Sequence, residues 1–193
     1  GMTKGHSKKT PGEVRIIGGE WKRTPLQVAD VQGLRPTPSR VRETLFNWLG
    51  QTLEGWHCMD AFAGTGALGF EAASRGASVV WMHEVHEQAF SQLQLNVRKL
   101  KADQIRLSQS DGLSALAQSS ERSLDLIFLD PPFASPILEK ALTQAARVVR
   151  EGGWIYVESG RAFGEEELHT LGLALFRHVR AGMVHAHLVQ AIA

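Results

Sequence analysis

Residues 60–71, DAFAGTGALGFE, place Gly64, Gly66 and Gly69 in the spacing G-x-G-x-x-G, directly after a short apolar run and at the head of an alanine-rich stretch. Between a strand and a helix, this spacing makes a cradle for a nucleotide. The glycines let the backbone approach a ligand closely, and the helix that follows offers N–H groups without partners. Glu84 lies eighteen residues beyond Gly66, at the end of the next strand-like run, where a carboxylate can accept from a ribose diol. Strand, loop, helix and acid together favour a nucleoside-containing ligand over a plain tight turn.

The flanking sequence repeats the same unit. HCMDAF reads as a short buried strand, ALGFEAASRG as a helix ending at Gly76, SVVWMHE as a strand and HEQAFSQLQLNVRKL as a long amphipathic helix. QIRLSQ is a third strand, residues 112–118 a short helix, LDLIFLD a fourth strand, SPILEKALTQAARVVREGG a helix closed by Gly152 and Gly153, and WIYVES a fifth strand. Repeated βα units with continuous apolar strands imply an α/β, Rossmann-like fold, with a mostly parallel sheet covered on both faces. LALFRHVRAGMVHAHLVQAI alternates about Ala181-Gly182 and predicts an antiparallel edge hairpin. Upstream, Val14–Ile17 and Leu26–Val28 predict two short strands joined through Gly18-Gly19. From Thr37, as cap, a helix runs to Gly50. The expected organisation is a flexible basic tail over residues 1–12, a hairpin-and-helix extension over 13–50 and the α/β domain over 51–193.

Charge is unevenly distributed. Through Arg42 there are nine Lys/Arg against three acids, and the remainder holds twelve against seventeen. A basic arm on an acidic body is a footprint of nucleic-acid binding, although basic tails also serve solubility. Arg15, Lys22, Arg23, Arg40 and Arg42 are the candidate phosphate contacts. A single cysteine, Cys58, excludes an internal disulfide and a Cys-rich zinc site, and reads as a buried core thiol. With no apolar stretch long enough to span a bilayer and no signal-peptide pattern, a cytoplasmic protein without membrane contact is expected.

Two further features choose the chemistry. Asp60 stands four residues before the first glycine. A carboxylate there repels a pyrophosphate and favours a cation such as the amino group and sulfonium of S-adenosylmethionine. At the end of the fourth strand comes DPPF, Asp130, Pro131, Pro132 and Phe133. The two prolines remove two N–H donors and hold the chain extended. The tetrapeptide thus presents a carboxylate, a free carbonyl and an aromatic plate, which suit a flipped base with an exocyclic amine. Accepting the amine protons at Asp130 and the Pro131 carbonyl draws the nitrogen lone pair towards an incoming methyl group, while Phe133 fixes the base plane.

These residues resemble the class I S-adenosylmethionine-dependent methyltransferases. RIIGGEWKR, GLRPTPSRVRETLFNWL, DAFAGTGALGFEAASRGA, DPPF and IYVES, in that order and spacing, resemble the RsmD family of bacterial 16S ribosomal RNA guanine-N2 methyltransferases over nearly the whole chain. The resemblance implies a seven-stranded sheet ending in the edge hairpin. It places Asp60, Gly64 and Gly66, with Phe62 in the same loop, at the methionine end of S-adenosylmethionine, Glu84 at the ribose and Asp111 at the adenine amine. Arg35, Pro36 and Thr37 lie against the same pocket, and Asp130 to Phe133 hold the guanine. It implies 16S rRNA as partner; an assembled or assembling small subunit as the setting, no metal and a monomer are expected besides. His86 departs from the family, which often carries an acid there.

The alternatives are an adenine N6 or protein-amide methyltransferase using the same DPPF site, a nicotinamide-dependent oxidoreductase using the same loop, and a catalytically silent RNA-binding module. His83 and His86 are one residue short of the zinc-protease spacing H-E-x-x-H. His185 and His187 share one strand face, where an edge-strand surface is expected rather than a metal site. Trp21 and Trp48 read as packing residues.

Overall fold

Strands whose residues are apolar on both faces have to be covered on both sides, and the helices between them supply the cover. The computed structural model describes residues 12–132 and 136–192. In chain order the elements are β1 (Glu13–Arg15), β2 (Pro25–Gln27), α1 (Ser39–Leu49), β3 (His57–Asp60), α2 (Ala67–Ser74), β4 (Val79–His83), α3 (Glu87–Leu100) and β5 (Ile105–Ser108). They continue with α4 (Gly112–Gln118), β6 (Leu124–Leu129), α5 (Ile137–Val148), β7 (Val149–Ser159), α6 (Glu165–His169), β8 (Leu173–Ala181) and β9 (Val184–Ala191). Seven strands form one sheet in the order β5-β4-β3-β6-β7-β9-β8, and β1 and β2 pair separately as an antiparallel ribbon. The five strands from β5 to β7 run parallel, and the β9–β8 hairpin joins antiparallel to β7 at one edge.

Side-chain alternation along each strand feeds two cores. Phe128 and Tyr156 point to the face covered by α1, α2 and α3, where they meet Phe46, Phe70 and Leu93. Ile127, Leu129, Ile155 and Val157 point to the other face, under Leu116, Leu138 and Leu142 of α4 and α5. Chain direction across the sheet changes between β3 and β6, so a crevice opens at their carboxyl ends, the usual ligand position in such sheets.

The N-terminal segment shares the first core through Val14, Ile16, Leu26 and Val28. It is also pinned by one buried carboxylate. Glu71, fully buried in α2, accepts from Ile17 N at 3.0 Å and Gly18 N at 2.9 Å, and pairs with Arg42 at 3.2 Å and Arg75 at 2.9 Å. Arg42 also donates to the carbonyls of Thr37 and Arg15.

Several expectations change in detail. Gly18 and Gly19 do not form the tight turn of the β1–β2 hairpin, which closes through a longer loop over residues 16–24. A Cβ on Gly19, whose φ is +82°, would stand 1.9 Å from the Ser74 carbonyl oxygen, so the glycine serves close docking on α2. Thr37 does not cap α1. Pro38 holds that position, and the Thr37 hydroxyl points instead to Glu158. Gly50, at φ +100°, does close the helix. The helix after DPPF ends at Val148 rather than at Gly152-Gly153, because Val149 already pairs with Leu124 and β7 bulges before Trp154. α6 has no counterpart in the sequence reading. The tail over residues 1–11 and Phe133 lie outside the described residues.

Candidate active site

β3 delivers Asp60 to the crevice, and the chain then turns into α2 through Ala61–Gly66. Gly66 takes φ +84°, donates its N–H to the Ala63 carbonyl at 2.7 Å and packs so tightly that a Cβ would fall 2.5 Å from the Phe70 ring. Both its backbone angle and its surroundings therefore require glycine. Gly64 N donates to Glu84 Oε1 and His86 N to Glu84 Oε2, each at 2.8 Å, which fixes the Glu84 carboxylate between the loop and the end of β4. A carboxylate has about four acceptor positions, so two remain for a diol.

Asp60 is 1% exposed and accepts from Gly69 N at 3.1 Å. Burial, with Glu84 and Glu158 adding like charge, pushes its carboxyl up to about 7, against the single backbone hydrogen bond from Gly69. Beyond β3 come β6 and then β7, and Asp130 and Glu158 follow immediately after the register pair Leu129–Val157 of those two strands. Burial and the neighbouring Glu158 and Asp60 raise the Asp130 carboxyl well above its ordinary range. Burial also raises Glu158, while hydrogen bonds from Tyr156 Oη at 2.8 Å and Thr37 Oγ1 at 3.1 Å oppose that rise. Asp60, fully buried, and the half-buried Asp130 and Glu158 thus come together at the ends of three neighbouring strands.

Beside them a pocket is lined by Ala61, Phe62, His83, Glu84, Ser110, Asp111, Gly112, Pro132 and their neighbours Val85 and Ile137. It brings together four residues singled out in the sequence, Phe62, Glu84, Asp111 and Pro132. Asp111 is exposed and accepts from Leu113 N, Ser114 N and Ser114 Oγ, capping α4. His83 Nδ1 lies 2.9 Å from Ser110 Oγ, and its Nε2 is a buried nitrogen without a partner among the described residues. A low-dielectric crevice rich in carboxylates, with a mostly apolar pocket beside it, fits a ligand that carries positive charge at one end and a flat ring at the other. S-adenosylmethionine is such a ligand.

The remaining candidates divide. Arg15, Lys22, Arg23, Arg35 and Arg40 are exposed. Arg42 is a correction. It is 3% exposed, its ion pair and carbonyl contacts hold it inside, and it cannot reach a phosphate. A one-sided charge count could not separate it from Arg40, but its place on the apolar stripe with Val41 and Leu45 is the signal. His187 is a second correction. It lies on the interior strand β9 and is 1% exposed, with Nε2 accepting from Phe163 N and Nδ1 facing the Val157 carbonyl, both at 3.1 Å, so no ring nitrogen is left for a metal. Cys58 is fully buried and its thiol is pushed up by burial, in keeping with a core residue. The sequence reading assigned no role to Glu158 or Tyr156. Their spacing, two apart at the end of a buried strand, puts both on one face and is the signal that was available.

Comparison with known proteins agrees with this geometry. The family model described as "Conserved hypothetical protein 95" matches residues 14–190. The Ribosomal RNA small subunit methyltransferase D of Escherichia coli K12 is 43% identical over 154 residues, covering 77% of this chain and 75% of the relative. Its namesake from Haemophilus influenzae is 40% identical over 167 residues, covering 82% and 84%. The solved structure of the methyltransferase yhhF from Escherichia coli superposes with a TM-score of 0.81 at 38% identity, over 94% of this chain and 99% of that one. Matched over almost its full described length, with the glycine loop, the carboxylate crevice and the antiparallel edge hairpin in place, the chain belongs to the RsmD family.

Proposed function

We propose that this protein is an S-adenosylmethionine-dependent ribosomal RNA methyltransferase that methylates the exocyclic N2 amine of a guanine in the 16S rRNA of the small ribosomal subunit. The observation that carries the reading is the meeting of Asp60, Asp130 and Glu158 at adjacent strand ends, beside a pocket suited to a nucleoside. Burial and mutual proximity hold back the ionisation of these acids, which an arriving cation would relieve and a pyrophosphate would aggravate. This disfavours a nicotinamide cofactor.

When bound, the cofactor supplies an electrophilic methyl group on a sulfonium. The chain supplies everything else. Asp60 and the Gly64–Gly66 backbone hold the methionine end, Phe62 adds apolar surface, and Glu84 takes the ribose hydroxyls, with Asp111 and the pocket beside it at the adenine. Arg35 stands at the N-terminal margin of the crevice. Asp130 and the Pro131 carbonyl accept the two N–H groups of the target amine and orient its lone pair, Pro132 keeps the strand end extended, and Phe133 stacks on the base. After transfer the amine carries an extra proton. The carboxyl group of Asp130, whose affinity for a proton the neighbouring Glu158 raises, provides the acceptor. Arg15, Lys22, Arg23 and Arg40 contact phosphates, and the substrate is an assembled or assembling subunit.

The test is Asp130→Ala. Transfer to rRNA is lost, while the thermal shift given by S-adenosylhomocysteine stays as in the wild type and NAD(P)H gives none. Near-wild-type turnover by that variant would remove DPPF from the mechanism.

A further inference from the structure

The β8–β9 hairpin carries a second concentration of cationic and imidazole side chains, separate in sequence from the N-terminal one. From Leu168 to Ala193 the chain has no Asp or Glu, yet this stretch holds Arg177, Arg180 and four of the eight histidines. Register places part of that charge at the catalytic end of the sheet. Arg180 pairs with His185, and His185 with Ser159, the residue after Glu158. From β6, which leads into Asp130, to β8 there are three strand spacings, about 14 Å. The turn of the hairpin therefore projects beside the mouth of the crevice.

The side chains there are organised. His178 Nε2 and His185 Nδ1 lie 2.9 Å apart and their rings stack with 9° between planes. One ring donates to the other, so each pair of imidazoles keeps an N–H for an outside acceptor. Arg180 Nε donates to the Gly182 carbonyl at 2.9 Å, which holds the guanidinium along the tip. Among the described residues no carboxylate pairs with Arg180. Met183, at the turn itself, is 75% exposed. Edge strands commonly carry charge simply to prevent pairing with other chains. That purpose requires neither a guanidinium held at the catalytic end nor a bare methionine at the tip.

We propose that the outer end of this hairpin, formed by His178, Arg180, His185 and Met183, is a docking wall for the RNA strand adjoining the target guanine. The inference rests on the rRNA methyltransferase reading. A guanidinium presents forked donors to a phosphate, the imidazole pair offers a further N–H to the same backbone, and the methionine packs on an exposed sugar or base. The wall lies at the same end of the sheet as the crevice but on the face of Ser159 and Val157, opposite Glu158, where flanking nucleotides rather than the target base need support while that base is held out of its stack.

The test compares the full-length wild type, Arg180→Ala with His185→Gln, and Arg150→Ala, which removes a positive charge at the opposite end of the sheet. Methyl transfer to small ribosomal subunits lacking the modification is followed against substrate and salt concentration, with the thermal shift by S-adenosylhomocysteine as the control for folding. The double variant raises KM for the subunit about tenfold and lowers the log–log salt slope by about 1, with kcat and the thermal shift unchanged. Arg150→Ala changes none of these. A wild-type KM and slope in the double variant, beside an active wild type, would overturn the docking wall alone. Absence of transfer to rRNA by the wild type would overturn the functional reading beneath it.

Discussion

Thr37 Oγ1 donates to Glu158 Oε2 at 3.1 Å, joining the segment ahead of α1 to the carboxyl end of β7 across 121 residues. The N-terminal segment is thereby tied to the carboxylate crevice as well as packed on the core. The donor favours the ionised form of Glu158, which burial opposes. Thr37→Val removes it, and a hydrogen bond to a charged group is worth about 1.5–3 kcal/mol. Glu158 then protonates more readily, and the acid limb of the pH–rate profile moves to higher pH. Rate measurements between pH 5 and pH 9 on saturating substrate check this. A profile superimposable on the wild type would detach Thr37 from the chemistry.

If Asp60 holds the cationic end of the cofactor as proposed, its burial links stability to cofactor binding. Its carboxyl sits at about 7 in the folded chain against 3.8 for a free aspartate, so between those values the native state holds more protons than the unfolded state. Stability from this group therefore falls as pH rises through that window, and the whole penalty is present above it. Asp60→Asn retains an acceptor for Gly69 N–H and loses the charge. Its thermal midpoint at pH 8 rises above the wild type, the difference vanishes near pH 4, and its affinity for S-adenosylmethionine drops at least about tenfold. Melting curves at the two pH values, with and without the cofactor, decide it. A lower midpoint at pH 8 would contradict the assignment of Asp60 as a strained, cation-seeking group.

Arg42 is structural. Arg42→Ala leaves Glu71 buried with Arg75 as its remaining ion-pair partner, and loss of the charged hydrogen bond costs about 1.5–3 kcal/mol. Denaturant unfolding reveals the loss. At a temperature where the variant is folded, the salt dependence of RNA binding matches the wild type, whereas exposed Arg40→Ala lowers the slope by about 1. A reduced slope in Arg42→Ala would return this residue to the RNA surface.

Local patterns carried much of the architecture. The central strands, the glycine turn into α2 and the hairpin about Ala181-Gly182 follow from apolar runs and breakers, because buried parallel strands and tight turns leave strong local signatures. The extension was harder to read, since Gly18, Gly19, Thr37 and Arg42 each serve a partner more than thirty residues away or in another element. Their local propensities pointed to a turn, a cap and a surface charge, and tertiary contact overrode all three. α6 is five residues long, too short for its periodicity to stand out. In the site, Asp60, Glu84 and DPPF are visible because chemistry concentrates unusual residues at strand ends. Glu158 and Tyr156 needed the register of β6 against β7 before their place beside Asp130 emerged.

The central claim is transfer of a methyl group to a guanine amine of 16S rRNA. Small subunits from a strain lacking the enzyme are incubated with the protein and S-adenosylmethionine labelled in its methyl group, and the RNA is digested to nucleosides and analysed by mass spectrometry. The account predicts label in N2-methylguanosine from a single site in 16S rRNA. Label in N6-methyladenosine or in ribosomal protein, or no transfer at all, would contradict it.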